Sequence, residues 1–188
     1  MRNLTVVVAV LMLFASVSMV SAEEIKSGLQ AGDLIDAFYV TKLAGAEDDG
    51  VATGKNLCYR CKNGGRPQVM VFTRSSDEQV VKLVQKLDAA IGENSSKQLR
   101  AFVNVMGEDK SSASKEAQKL ASASKAKDVP FVVPNEVENG PGNYGLNSKA
   151  AVTIILAEGG KVKANHAFAS ASDVAVDSVI ADLAKILN

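Results

Sequence analysis

The chain has 188 residues, 47% hydrophobic and 22% charged, with 21 basic against 21 acidic side chains, two cysteines and one histidine. A balance of this kind gives no broad attraction to nucleic acid or to an anionic membrane. The length is enough to bury a core without a metal or several disulfides, so stability alone does not account for the cysteines.

In chain order, the first 22 residues carry Arg2, an apolar run "LTVVVAVLMLFASVSMV" and the small residues "VSA" before "EE". These are the segments of a secretory signal, with cleavage expected after Ala22. The run approaches membrane-spanning length, which keeps an uncleaved anchor as the alternative. Cleavage removes Arg2 and no acid from the balanced set of 21 and 21, leaving a net charge near minus one. The expected organisation is a signal over 1–22 and one domain over 23–188, exported to a periplasm or secreted, with no stable membrane insertion after cleavage. An oxidising compartment allows a disulfide to persist.

Residues 23–32 are polar, and "AFYV" reads as a short strand at 38–40. "LAGAEDDGVATGKNL" reads as a loop with room for a strand pair. "RPQVMVFTR" over 66–74 is a continuous apolar run of the kind that forms a buried parallel strand. It leads into "SSDEQVVKLVQKLDAAIG", where Val80, Val84, Leu87 and Ile91 share a helical face, Ser75 to Asp77 offer an N-cap and Gly92 offers a stop.

"LRAFVNVM" over 99–106 predicts a second buried strand, "SASKEAQKLASASKA" a helix with a weak apolar stripe, and "VPFVVPN" a third strand. The segment "AVTIILAEGGKVKANHAF" predicts a hairpin turning at Gly159 and Gly160. The C-terminal "SDVAVDSVIADLAKILN" predicts one capped amphipathic helix, with Val176, Val179, Ile180, Leu183 and Leu187 inward. The order βαβαβ, hairpin, helix predicts an α/β three-layer sandwich with a mixed central sheet and helices on both faces.

Both cysteines lie in "GKNLCYRCKNGGRP", as a Cys-x-x-Cys pair at Cys58 and Cys61, a spacing used by thiol oxidoreductases and by metal knuckles alike. Three readings stay open. As a staple, the pair closes a loop of four residues worth about 2 kcal/mol. As a redox pair it has Lys55, Arg60, Lys62 and Arg66 around it with no acid between Lys55 and Arg66, and positive charge favours the thiolate that carries out exchange. The Gly-rich "KNGGR" argues for exposure of the second cysteine.

As a metal clip the pair supplies two ligands of the four that a closed site needs, with His166 as the candidate third. A solitary histidine near a strand end more commonly has an ordinary packing role. Gly64 and Gly65 read as a turn, since no Lys-Ser/Thr follows as a phosphate loop requires, and no cofactor is expected. A hydrolase triad assembled from Ser75, His166 and Asp77 lacks a nucleophile elbow.

The segments "GDLIDAFYV", "RPQVMVF" and "VPFVVPN…YGLNSKAAVTIILAEGGKVKANHAF" together resemble the thioredoxin-like superfamily, nearest the peroxiredoxin and alkyl hydroperoxide reductase branch. The resemblance spans most of 23–188 and implies the thioredoxin fold and thiol chemistry. It also implies a reactive cysteine just after the first core strand, where this chain has "TRSSDEQ". Thr73, Ser75 and Ser76 supply only hydroxyls there, so peroxidase chemistry is not expected. Where the family places a cis-proline or an arginine, this chain has Ala151 or Val152.

The Cys58/Cys61 pair is displaced to the connection before the core strand. The expected role is thiol/disulfide exchange with a protein partner, with Cys58 as attacking thiol. The alternative is a thioredoxin-fold binding or structural module in which the pair is a local disulfide.

Overall fold

The computed structural model describes residues 25–188; the expected signal over 1–22 lies outside them. Seven strands form one sheet: β1 (Val40–Ala44), β2 (Asn56–Leu57), β3 (Gln68–Thr73), β4 (Arg100–Val105), β5 (Phe131–Pro134), β6 (Val152–Glu158) and β7 (Lys161–Phe168). Their spatial order is β2-β1-β5-β4-β3-β6-β7. β3, β4 and β5 run parallel, and the outer strands pair antiparallel, giving the mixed sheet expected from the sequence.

All six residues of β3 are buried because both faces of the sheet are covered. Successive side chains of a strand point to opposite faces. Val69 and Val71 therefore join one core and Met70 and Phe72 the other. On the first face lie α2 (Glu78–Glu93), α3 (Lys110–Ser124), α4 (Val176–Ala181) and α5 (Ala184–Leu187), which bury Val80, Leu83, Val84, Leu87, Leu120, Val179 and Ile186 against the sheet. The second face is covered by one short helix, α1 (Tyr59–Asn63), together with loops that insert Ile35, Phe38 and Tyr144. Aromatic rings close this thinner layer, with Phe38 4.8 Å from Tyr144 and Tyr59 stacked 5.7 Å from Phe102.

Local signals place most elements. The Asp77 carboxylate accepts the Gln79 N–H and caps α2. Asp109 and Ser112 form a reciprocal capping box on α3. Gly159 and Gly160 both have positive φ (61° and 79°), the backbone that a two-residue hairpin between twisted strands requires.

Three boundaries differ from expectation. The first strand begins at Val40 and not at Phe38, since Val40 is the residue that meets Leu57 and Pro134 in register while Phe38 turns into the aromatic core. α2 passes through Gly92 to Glu93, where the Asn94 side chain donates to the Ala90 carbonyl and closes the helix. The single C-terminal helix is in fact a 3-10 turn (Ala171–Asp173) followed by α4 and α5, without a side-chain cap. The break after Ala181 rotates the inward face, so Ile186 is buried and Leu187 only partly so.

Candidate functional site

The cysteines lie where β2 hands over to α1. Cys58 is extended and forms the N-cap, and its Sγ accepts the backbone N–H of Cys61 at 3.0 Å. The one turn of helix that follows brings the two Cα atoms to 5.2 Å, and the sulfurs are joined as a disulfide. Gly64, at φ 63°, ends the helix and donates to the Arg60 and Cys61 carbonyls. Gln68 then anchors the connection by donating from Nε2 to the Gly64 carbonyl at 3.1 Å.

Exposure of the two sulfur-bearing residues is unequal. Cys58 is buried at 8% and Cys61 is exposed, as the glycine-rich flank suggested for the second cysteine. Tyr59 and Asn63 occupy the inward side of α1, which turns Cys61 outward. Among the described residues, none of Lys55, Arg60, Lys62 and Arg66 forms an ion pair with an acid. Arg60 lies over the β6–β7 turn, and its Nε is buried without a hydrogen-bond partner.

Beneath the pair lies a network that inspection of the sequence missed. Tyr59, between the two cysteines, donates its phenol proton to Asp49 Oδ2 at 2.5 Å. Asp49 Oδ1 accepts from Lys42 Nζ at 2.8 Å and from the Val51 N–H at 2.7 Å. Lys42 is 1% exposed on β1 and also donates to the carbonyls of Ala46 and Val51 at 2.8 Å each. A buried ammonium with three acceptors is the condition under which a lysine can stay inside.

Burial pushes the Asp49 carboxyl up, but the bonds from Lys42, Tyr59 and Val51 outweigh it and hold it below its ordinary value. Burial, reinforced by Asp49, drives the Tyr59 phenol far above its ordinary range. The signal in the sequence was "EDD" at 47–49 within reach of a strand lysine, which only the fold brings under Tyr59.

The place after β3 is filled by local hydroxyl bonds. Thr73 Oγ1 donates to the Ser75 carbonyl and accepts its N–H, Ser75 Oγ accepts the Asp77 N–H, and the Ser76 N–H goes to Glu116. Alongside, the Arg74 N–H donates to the carbonyl of Ala151, which with Val152 is one of the two residues expected at the family's cis-proline or arginine position.

His166 sits on β7 with Nε2 3.0 Å from Asp182 Oδ2, its ring parallel to Phe168. It meets neither cysteine nor Ser75. The triad of Ser75, His166 and Asp77 is not assembled. The metal alternative of Cys58, Cys61 and His166 is not assembled either, because the sulfurs are bonded to each other and the histidine is engaged elsewhere. No group of three or more His, Cys, Asp or Glu side chains among the described residues is arranged to hold a metal ion.

This sheet, with its parallel core strands and antiparallel hairpin, is the thioredoxin-like fold. Solved structures that it resembles include AhpC of Mycobacterium tuberculosis, at 14% identity over 85% of this chain and 99% of that one, with a TM-score of 0.60. A Chlorobium tepidum protein assigned as a thiol:disulfide interchange protein DsbE shares 17% identity over 82% of this chain and 99% of that one, with a TM-score of 0.57. The thioredoxin domain of a thiol-disulfide oxidoreductase from Bacteroides vulgatus shares 14% over 85% and 99%, with a TM-score of 0.55. No family profile matches the chain, and no curated protein sequence matches it. The neighbours are thioredoxin-like oxidoreductases and peroxiredoxins, and at these identities the likeness is one of fold.

Proposed function

We propose that the protein is an exported thiol-disulfide exchange protein acting through Cys58 and Cys61. The observation that carries this reading is an exposed sulfur-bearing residue, Cys61, in a disulfide with a buried one, Cys58, among basic side chains that form no ion pair among the described residues. A partner thiolate attacks Cys61 Sγ, the Cys58–Cys61 bond breaks, and Cys58 leaves as a thiolate that keeps the Cys61 N–H as hydrogen-bond donor. The partner's second thiol, deprotonated, then attacks the partner sulfur of the mixed disulfide and expels Cys61 as a thiolate. Two electrons pass from the partner dithiol, now a disulfide, to the pair. Run in reverse, Cys61 attacks and Cys58 resolves, so the exposures support the opposite assignment to the one expected from the sequence.

Export supports the oxidised state of the pair. No helix among the described residues is long and apolar enough to cross a membrane. The similarity in fold to thiol-disulfide oxidoreductases supports a protein partner.

The test is the reduction potential of the purified protein, read by thiol trapping in glutathione and dithiothreitol buffers. A value between about −270 and −120 mV lies in the range of exchange proteins, whereas one below about −300 mV marks an inert structural disulfide. The second outcome would favour the binding-module reading, which the hydroxyl-filled turn after β3 supports.

A further inference from the structure

We infer that the cleft beside α1 is a docking site for a short acidic segment of a partner protein, a reading that stands apart from the redox one above. The cleft holds about 290 Å³ and takes Tyr59 and Lys62 of α1 as one wall. Cys61 faces outward on the other side of this short helix, so the cleft and the exposed sulfur occupy different faces of α1.

Four cations line the cleft from four parts of the fold: Lys62 from α1, Arg66 from the connection to β3, Arg100 from the start of β4 and Lys127 from the turn before β5. None of them forms an ion pair among the described residues. Three acids share the lining, but Asp49 is already matched by Lys42, which leaves Asp48 and Asp128 and an excess of two positive charges.

The chain as a whole carries no net charge, so this excess is local. The rim is fixed, because the Asp88 carboxylate on α2 accepts the backbone N–H groups of both Lys127 and Asp128, at 2.9 and 2.7 Å. Ile91, Ala101 and Pro130 add an apolar floor. Four donors around an apolar floor suit two or three carboxylates spaced along a peptide with an aliphatic side chain between them. The two acids in the lining oppose a uniformly charged polymer, which separates this surface from one built for a nucleic acid.

The test uses the purified protein and fluorescein-labelled, cysteine-free octapeptides, one rich in Asp and Glu and one with Asn and Gln in their places, with binding read by anisotropy at low ionic strength. The acidic peptide is expected to bind on the order of tenfold more tightly than the neutral one, the preference fading with salt. The combined Arg100→Gln and Lys127→Gln variant is expected to lose that preference, while Cys58→Ser with Cys61→Ser keeps it. These two substitutions leave Lys55, Arg60, Lys62 and Arg66 beside the pair, so reduction of the disulfide by dithiothreitol is expected at the wild-type rate.

Equal binding of the two peptides, preference surviving the double substitution, or tighter capture of a single-stranded oligonucleotide each overturns the inference and leaves the redox reading intact. A pair that resists every dithiol overturns the redox reading alone, since peptide binding is measured without exchange.

Discussion

Tyr59 joins the cysteine pair to the buried charge below it, and its consequences can be worked out one side chain at a time. Tyr59→Phe keeps the ring stacked on Phe102 but removes the proton that Asp49 accepts, which is expected to cost about 2 kcal/mol in chemical denaturation. Asp49→Ala leaves the Lys42 ammonium inside with carbonyls alone, and a loss of about 3 kcal/mol or more is expected, because an uncompensated buried charge is costlier than a missing bond. The cysteines separate by accessibility. In single variants, Cys61 left alone by Cys58→Ser is expected to form a mixed disulfide with oxidised glutathione on the order of tenfold faster than Cys58 left alone by Cys61→Ser, read by mass spectrometry. Equal rates would remove the distinction between an exposed and a resolving sulfur.

The element scale shows where a sequence is sufficient and where it is not. Ile186→Ala is expected to cost about 3 kcal/mol and Leu187→Ala clearly less, read from denaturation midpoints, because the break between α4 and α5 turns Ile186 into the core. An unbroken helix starting near Ser172 predicts the reverse order, and the periodicity alone supported that helix. β3, α2, β4 and the β6–β7 hairpin were legible because hydrophobic pattern, capping residue and turn glycines agree within each segment.

β1 was misplaced because Lys42 reads as a strand's end or its wet side. Its burial depends on Asp49 and two carbonyls that the later loop supplies. The cysteine pair was legible by spacing and charge, and the exposure of Cys61 by its glycine-rich flank, but the burial of Cys58 that makes the pair unequal was not. That inequality comes from Tyr59 and Asn63 seeking the sheet, which orients α1.

For the whole molecule, the titrating groups set a window of stability. Asp49 titrates lower in the folded protein than its ordinary value near 3.8, so its contribution is present above that pH and lost as pH falls through the lower folded value. Asp182 acts in the same direction through its hydrogen bond from Lys185, partly offset by burial and aided by His166. Tyr59 and Tyr144 are raised, chiefly by burial, so their neutral forms stabilise the fold below about pH 10. That contribution falls as pH rises further and the unfolded chain ionises. Unfolding free energy is therefore expected to fall at both the acid and the alkaline edge, and Tyr59→Phe is expected to make the alkaline slope shallower.

The second face of the sheet, covered by α1 and loops alone, has one further property. The chain has no tryptophan and three tyrosines. Tyr39 is exposed at 58%, Tyr144 lies in the aromatic cluster, and Tyr59 lies between the two disulfide-bonded cysteines in the chain with its hydroxyl on a carboxylate. Disulfide sulfur and a proton-accepting carboxylate both quench phenol emission, and only the first is removed by reduction. Excited at the tyrosine band, the protein is therefore expected to brighten as the Cys58–Cys61 bond opens, which emission recorded with and without dithiothreitol checks; unchanged emission would place the Tyr59 ring out of reach of the sulfurs.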